Sequence, residues 1–453
     1  MQTLISKYGL AAHLALVAVA PLFLSAGAVI WLSVLGAVWL VMEPSRIGNE
    51  MLHDARRRVT RSLAFDPLFW VLLALLVVSI IRMFNVGIAA AYDAETSRWS
   101  ISDAALPLMP GSVEGSAFPL VGCAAAALVS VSGCRHCLGR SARGAFALVA
   151  SMLSAVGAYV WALLCQEGSE VALSAVECPL TDPSFAGGAY GIFLVCAVVS
   201  LVVAFESSWR KVMPLTILGI SGNLLGLFLF SPPAIAAAYA AVTVIIFIYA
   251  FVYLRLRLAR TAEFKFLVFF GMGVALAVVL AEWLLSRSFV DSRTMPYLTG
   301  AFVPDGYLES RAVISEIVAR AWKTQPWLGF GYGSFPIVFQ FNAMPSDWEV
   351  VSSLQKAVPN GYLMLLVERG VVGAFFLAVP LVLLLVTYVR RLVLGVMRSM
   401  PNPLSWVGFL ILIVAALETL FDASFLAPGT AVALVSVFAL SAAAFPKEMR
   451  SHG

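Results

Sequence analysis

Apolar runs long enough to cross a bilayer recur from one end of this chain to the other, and nothing constrains its fold more. A helix covers the hydrocarbon of a membrane with about 20 residues. Backbone that meets lipid finds no water to bond to, so a lone spanning segment must satisfy its own amides and carbonyls, as a helix does. The 453 residues are 61% hydrophobic and 12% charged, with a mean hydropathy of +0.94. Such a balance excludes a string of water-soluble domains and offers nothing to nucleic acid. It predicts an all-α polytopic membrane protein.

The runs fall at 9–26, 27–42, 67–89, 118–133, 144–165, 187–207, 212–230, 234–254, 264–285, 362–389, 404–421 and 426–445, about twelve spans in all. Loop 43–66 carries Arg46, Arg56, Arg57, Arg58 and Arg61, which by the positive-inside rule places it in the cytoplasm. Arg140, Arg143, Arg210, Lys211, Arg255, Arg257, Arg390 and Arg391 then fall on the same side, and the acidic loops 90–117 and 166–186 on the other. Both termini are cytoplasmic on this topology, and residues 286–361 form one large periplasmic loop. The chain divides into spans one to nine over 1–285, the loop over 286–361, and spans ten to twelve over 362–453. Residues 1–27 have the outline of a secretory signal, with Lys7 before an apolar run ending in Ser25-Ala26-Gly27. They are expected to remain as an uncleaved first span, because their removal would not improve the charge pattern.

No internal repeat is visible. A carrier built from two related halves places comparable broken helices in each, whereas here the long loop comes once and late, before the tenth span. That asymmetry favours an enzyme. Cys134 and Cys137 have the spacing of a zinc half-site, but no second pair accompanies them and His13, His53 and His452 are scattered, so no metal and no cofactor is expected. Cys165 and Cys178 both face the outer compartment, where oxidation is allowed; they are either a disulfide or two unrelated thiols.

Length, glycines and charge coincide between Arg311 and Gly373. Over 309–323, Val313, Ile314, Ile317, Val318 and Ala321 share one helical face, while Glu309, Glu316, Arg320 and Lys323 share the other. This predicts an amphipathic helix on the membrane surface or against the mouth of the bundle. Glu316 and Arg320, four apart, can pair along it. Arg311 lies away from that polar face, and its planar guanidinium matches phosphate oxygens, which makes it a candidate anion clamp. Pro326 ends the helix. Gly329, Gly331 and Gly333 then alternate with Phe330 and Tyr332; this pattern follows no strand and opens no helix, so it reads as a tight structural turn rather than a dinucleotide site. Asn360 can cap the start of the tenth span. Glu368 shares a face with Gly361 and lies about 10 Å down the helix. A carboxylate at that depth is costly unless it faces protein or water, so it is either functional or half of a salt bridge with Arg369 or Arg82.

The ordered set Arg311, Trp322, Pro326-Trp327-Leu328-Gly329-Phe330-Gly331-Tyr332-Gly333-Ser334-Phe335, Asn360-Gly361-Tyr362-Leu363 and Glu368-Arg369-Gly370-Val371-Val372-Gly373 resembles the signature of the bacterial O-antigen ligase and O-antigen polymerase family. Twelve spans with a large outer loop before the tenth are similar to its layout. The resemblance implies a metal-independent, GT-C-like glycosyltransferase of the inner membrane, which transfers a glycan from undecaprenyl pyrophosphate to an acceptor sugar at the periplasmic face. It also implies that Arg311 matches the loop arginine that holds the lipid-linked pyrophosphate, and that Asn360 and Glu368 match the asparagine and glutamate of the tenth-span motif. Two features depart from the pattern. The family usually has a histidine before that asparagine to activate the acceptor hydroxyl, where this chain has Pro359. It often has a Ser-Arg pair at the outer start of an earlier span, where this chain reads Ser231-Pro232-Pro233-Ala234.

With the histidine absent, Arg311 is expected to stabilise the leaving pyrophosphate with help from Arg320 and Lys323, and Glu368 to take the acceptor's proton ahead of Glu316 and Asp305. Asn360, Gly329, Gly331 and Gly333 complete the expected substrate-binding set. The implied partners are an undecaprenyl-pyrophosphate-linked glycan donor, a glycan or lipid-linked acceptor, the lipid bilayer and other polysaccharide assembly proteins. A polymerase of an exported polysaccharide or O-antigen is the leading expectation, with an O-antigen ligase, a lipid-linked glycan flippase and a catalytically silent scaffold as alternatives. A flippase predicts charges lining several spans, and few are present beyond Arg82, Glu206, Glu282, Glu368, Arg369, Glu418 and Asp422.

Overall fold

A computed structural model describes residues 2–42, 66–83, 87–93, 98–104, 117–166 apart from 139, 187–206, 213–230, parts of 239–251, 267–277, 307–330 apart from 328, 342, 361–397, 403–421 and 428–442. Helices carry the fold: α1 (Gln2–Val19), α2 (Ala26–Met42), α3 (Pro67–Met83), α4 (Ala117–Ser132), α5 (Arg140–Gln166), α6 (Gly187–Glu206), α7 (Met213–Phe230), α8 (Tyr307–Thr324), α9 (Gly361–Met397), α10 (Pro403–Phe421) and α11 (Pro428–Ala442). Leu267–Ala277 is a further apolar helix. By length and composition, the part of α5 from Ala142 to Val160 is long enough to cross a membrane, and shorter apolar helical segments include Tyr8–Leu22 and Pro119–Ser132.

One element departs from the all-helical expectation. The third run, read as 67–89, is helical over Pro67–Met83 but ends in strand, where β1 (Gly87–Asp93) pairs antiparallel with β2 (Arg98–Ala104) in register from Gly87 opposite Ala104 to Asp93 opposite Arg98. The alternation Trp99-Ser100-Ile101-Ser102 has the period of a strand rather than a helix. At the other end of that helix the signal is plain. Asp66 accepts the Leu68 amide on Oδ1 at 3.1 Å, and Pro67 occupies the first helical position, where its missing N–H costs nothing.

The interior is built where small residues let helices close on one another. Gly219, Gly222 and Gly226 line one face of α7; a Cβ on Gly222 would lie 2.5 Å from that of Ala155 in α5, and one on Gly226 2.7 Å from the ring of Tyr190 in α6. Polar groups bind the same seam. Asn223 donates through Nδ2 to the carbonyls of Ser151 at 2.9 Å and Gly219 at 2.7 Å, and its Oδ1 accepts from Ser154 Oγ at 2.7 Å. Away from water such bonds have no competitor, which is how small and polar residues hold helices together in lipid. His13 joins α1 to α2, with Nε2 3.0 Å from the Leu32 carbonyl oxygen and its ring against Trp39.

The outer faces are apolar. On α2, Trp31, Val34, Leu35, Val38 and Val41 are exposed along one stripe, and on α9 so are Val371, Phe375, Val382, Leu385, Val386 and Val389. In water such stripes would be a liability, whereas against lipid tails they cost nothing.

Candidate active site

The amphipathic helix expected over 309–323 forms as α8, and the residues expected on its apolar face carry its packing. Ile314, Ile317, Val318 and Ala321 are buried, and Ile314, Val318 and Ala321 form with Val313, Trp322, Phe330, Leu363, Met364 and Val367 a cluster that seats α8 on the first turns of α9. Glu316 and Lys323 are exposed on the opposite side, and Lys323 lies in the last turn, where a cation meets the negative end of the helix dipole. Arg320 is half-buried beside the packed face. Arg311 lies within α8, and its side chain is outside the described residues.

Beyond Thr324 the chain turns at once. Gln325 donates to the Trp322 carbonyl at 3.2 Å, and Gly329 to the Gln325 carbonyl at 3.2 Å. Gly329 has a φ of 67°, and a Cβ there would lie 2.6 Å from the carbonyl carbon of Glu368, the nitrogen of Gly370 and the carbonyl oxygen of Val367. All three are backbone atoms, so the turn requires glycine both for its backbone angle and for the absence of a side chain.

The surface against which Gly329 rests is a break in α9. Gly370 has φ 62° and ψ −175°, a region that only glycine enters readily. In an unbroken helix Val371 would donate to Val367 and Val372 to Glu368. Instead Val371 donates to the Pro326 carbonyl at 2.9 Å, Val372 donates to the Trp327 carbonyl at 3.1 Å, and the Val367 carbonyl accepts from Phe330 at 2.9 Å. The Pro326–Phe330 turn therefore supplies the hydrogen bonds that the break removes. Reading 362–389 as one continuous span missed this; the signal available was Gly370 inside an otherwise apolar helical run.

Glu368 stands two residues before the break and is 4% exposed, a buried carboxylate. Gly361 begins α9 and is buried, and Tyr362 ties that end to α10 through its hydroxyl, which donates to the Ala416 carbonyl at 2.9 Å. The structure thus brings together α8, Gly329 and Glu368. Asn360, Gly331 and Gly333 lie outside the described residues, as do Pro359, Cys178 and the side chain of Cys165, so the possible disulfide does too.

Among the described residues, no three His, Cys, Asp or Glu side chains gather as a metal set. Cys134 is sealed within a π-helical turn, Gly133–Cys137, and its burial pushes the thiol up, against the opposing pull of the Arg143 guanidinium.

No curated protein matches the chain. Residues 235–378, which contain α8, Gly329, Glu368 and the break at Gly370, match the family model described as O-antigen ligase. Through that segment the chain is similar to the O-antigen ligase and polymerase family, whose members are membrane proteins.

Proposed function

We propose that this protein is a multi-pass glycosyltransferase of the bacterial inner membrane, with both termini cytoplasmic, that polymerises undecaprenyl-pyrophosphate-linked repeat units at the periplasmic face. The observation that carries this reading is the docking of α8, which bears Arg311 and Arg320, onto the turn of α9 that buries Glu368, within the segment that matches the family. An acceptor hydroxyl attacks the anomeric carbon of the donor sugar. The bond from that carbon to the pyrophosphate oxygen breaks, and undecaprenyl pyrophosphate leaves with its charge stabilised by Arg311, assisted by Arg320 and Lys323. Glu368 receives the hydroxyl proton. Asn360 and the turn of Gly329, Gly331 and Gly333 bound the substrate site.

Polymerase is preferred to ligase because Pro359 stands where the ligase histidine is expected. The matched family's own description favours the second reading, transfer of a finished glycan to a lipid A core. Both are tested with the purified full chain in lipid, supplied with undecaprenyl-pyrophosphate-linked repeat units and, separately, with lipid A core. A ladder of longer lipid-linked glycans that disappears in Arg311→Ala supports the polymerase. Product on lipid A core without a ladder establishes the ligase instead, and donor binding without either product would leave a silent scaffold.

A further inference from the structure

Two glycines from separate stretches meet in the joint between the Pro326–Phe330 turn and α9, and each is required for a different reason. Gly370 takes the backbone of α9 out of helical register two residues after Glu368. Gly329 lets the incoming turn rest directly on that bend, with backbone atoms nearest to any added Cβ. We infer that Gly329 and Gly370 are positioning residues that set the register between the arginine-bearing helix α8 and the Glu368 turn of α9, an inference that rests on the function proposed above.

Apolar contact between Ile314, Val318, Ala321 and Val367 holds the two helices together but is non-directional, and would tolerate a small slide. Hydrogen bonds weaken steeply when misaligned and would not. From the last turn of α8 a continuous series of them runs to the break: Gln325 to Trp322, Gly329 to Gln325, Phe330 to Val367, Val371 to Pro326 and Val372 to Trp327. The series leaves little slack between the helix that carries Arg311 and Arg320 and the carboxylate of Glu368. A displacement of α8 therefore passes to Glu368, and the distance between the cation that holds the donor and the group that takes the proton is set at this joint.

The test uses the full chain in lipid nanodiscs, comparing wild type with Gly329→Ala and with the control Gly271→Ala, where a Cβ would meet nothing within 4 Å. Hydrogen exchange is followed by mass spectrometry for peptides covering 307–324, 361–372 and 117–132. In wild type the first two are expected to open together. In Gly329→Ala they are expected to open separately, with 361–372 exchanging about tenfold faster and 117–132 unchanged. Turnover of the lipid-linked donor should fall about a hundredfold in kcat, while Gly271→Ala matches wild type. If Gly329→Ala loses protection throughout, Val371→Pro carries the test. It deletes one N–H of the joint at the first position after the break, where a helix accepts proline, and the same fall in kcat is expected with KM within about twofold. Independent opening of the two peptides in wild type would overturn the inference, as would separated opening with kcat unchanged. Joint opening in a wild type that binds no donor and transfers no glycan would sink the glycosyltransferase reading while the mechanical coupling stood.

Discussion

The amide of Phe330 donates to the carbonyl of Val367 at 2.9 Å and so takes the place that the amide of Val371 would hold in an unbroken helix. A residue of the loop thereby completes a helix that begins more than thirty positions later in the chain. Breaks in membrane helices commonly expose backbone groups to bind a substrate or ion. This one is filled by the protein's own backbone, which directs attention from the break itself to the carboxylate beside it.

Gly370→Ala forces a side chain into φ 62°, ψ −175°, a backbone conformation that costs about 1–3 kcal/mol outside glycine. Thermal unfolding in detergent should show lowered stability. Restoring a continuous helix would relieve the strain but leave Pro326, Trp327 and Phe330 without their partners, so a stability equal to wild type would refute the account of the joint.

Glu368→Gln keeps the shape of a buried side chain and removes its ability to accept a proton. Glycan transfer is expected to fall by about a hundredfold or more, the usual contribution of a general base, with donor binding retained. Unchanged transfer removes Glu368 from the mechanism and points to Glu316 or Asp305.

Asn223→Leu removes the two bonds that Nδ2 donates to Ser151 and Gly219 and deprives Ser154 Oγ of its side-chain acceptor. Individual bonds of this kind in membrane bundles are worth about 0.6 kcal/mol, so a loss of about 1–2 kcal/mol is expected for the group. Equilibrium unfolding in mixed micelles reads it, and a stabilised variant would show that packing, not hydrogen bonding, holds this seam.

Cys134 and Cys137 should differ in reactivity despite their proximity. Burial pushes the Cys134 thiol up, so its thiolate fraction at pH 8 falls below that of an ordinary cysteine and becomes substantial only well above that pH. Cys137 is only half-buried. Maleimide at pH 8 is therefore expected to label Cys137 first, and equal labelling of both in the folded protein contradicts the sealed turn.

Much of this was legible without coordinates. The apolar face of α8 follows from the spacing of Ile314, Ile317, Val318 and Ala321, because helical periodicity is local and needs no partner to be read. The cost of a carboxylate at the depth of Glu368 was legible too, while whether it faces protein or water was not. The hairpin Gly87–Asp93 with Arg98–Ala104 was hidden because alanine-rich residues 87–91 extend the hydropathy of the preceding helix, and hydropathy averages over a window that does not distinguish the two periods.

What the sequence by itself determined is the apolar character of the chain, the place of most of its helices and the amphipathic face of α8, since these depend on composition and on contacts within one turn. What only the tertiary structure decided is that Gly329 and Gly370, 41 positions apart, serve the same joint. A glycine in a sequence records permission for an unusual backbone angle or a close approach, and which of the two it uses, and against which atoms, is settled only when another segment arrives to occupy the space.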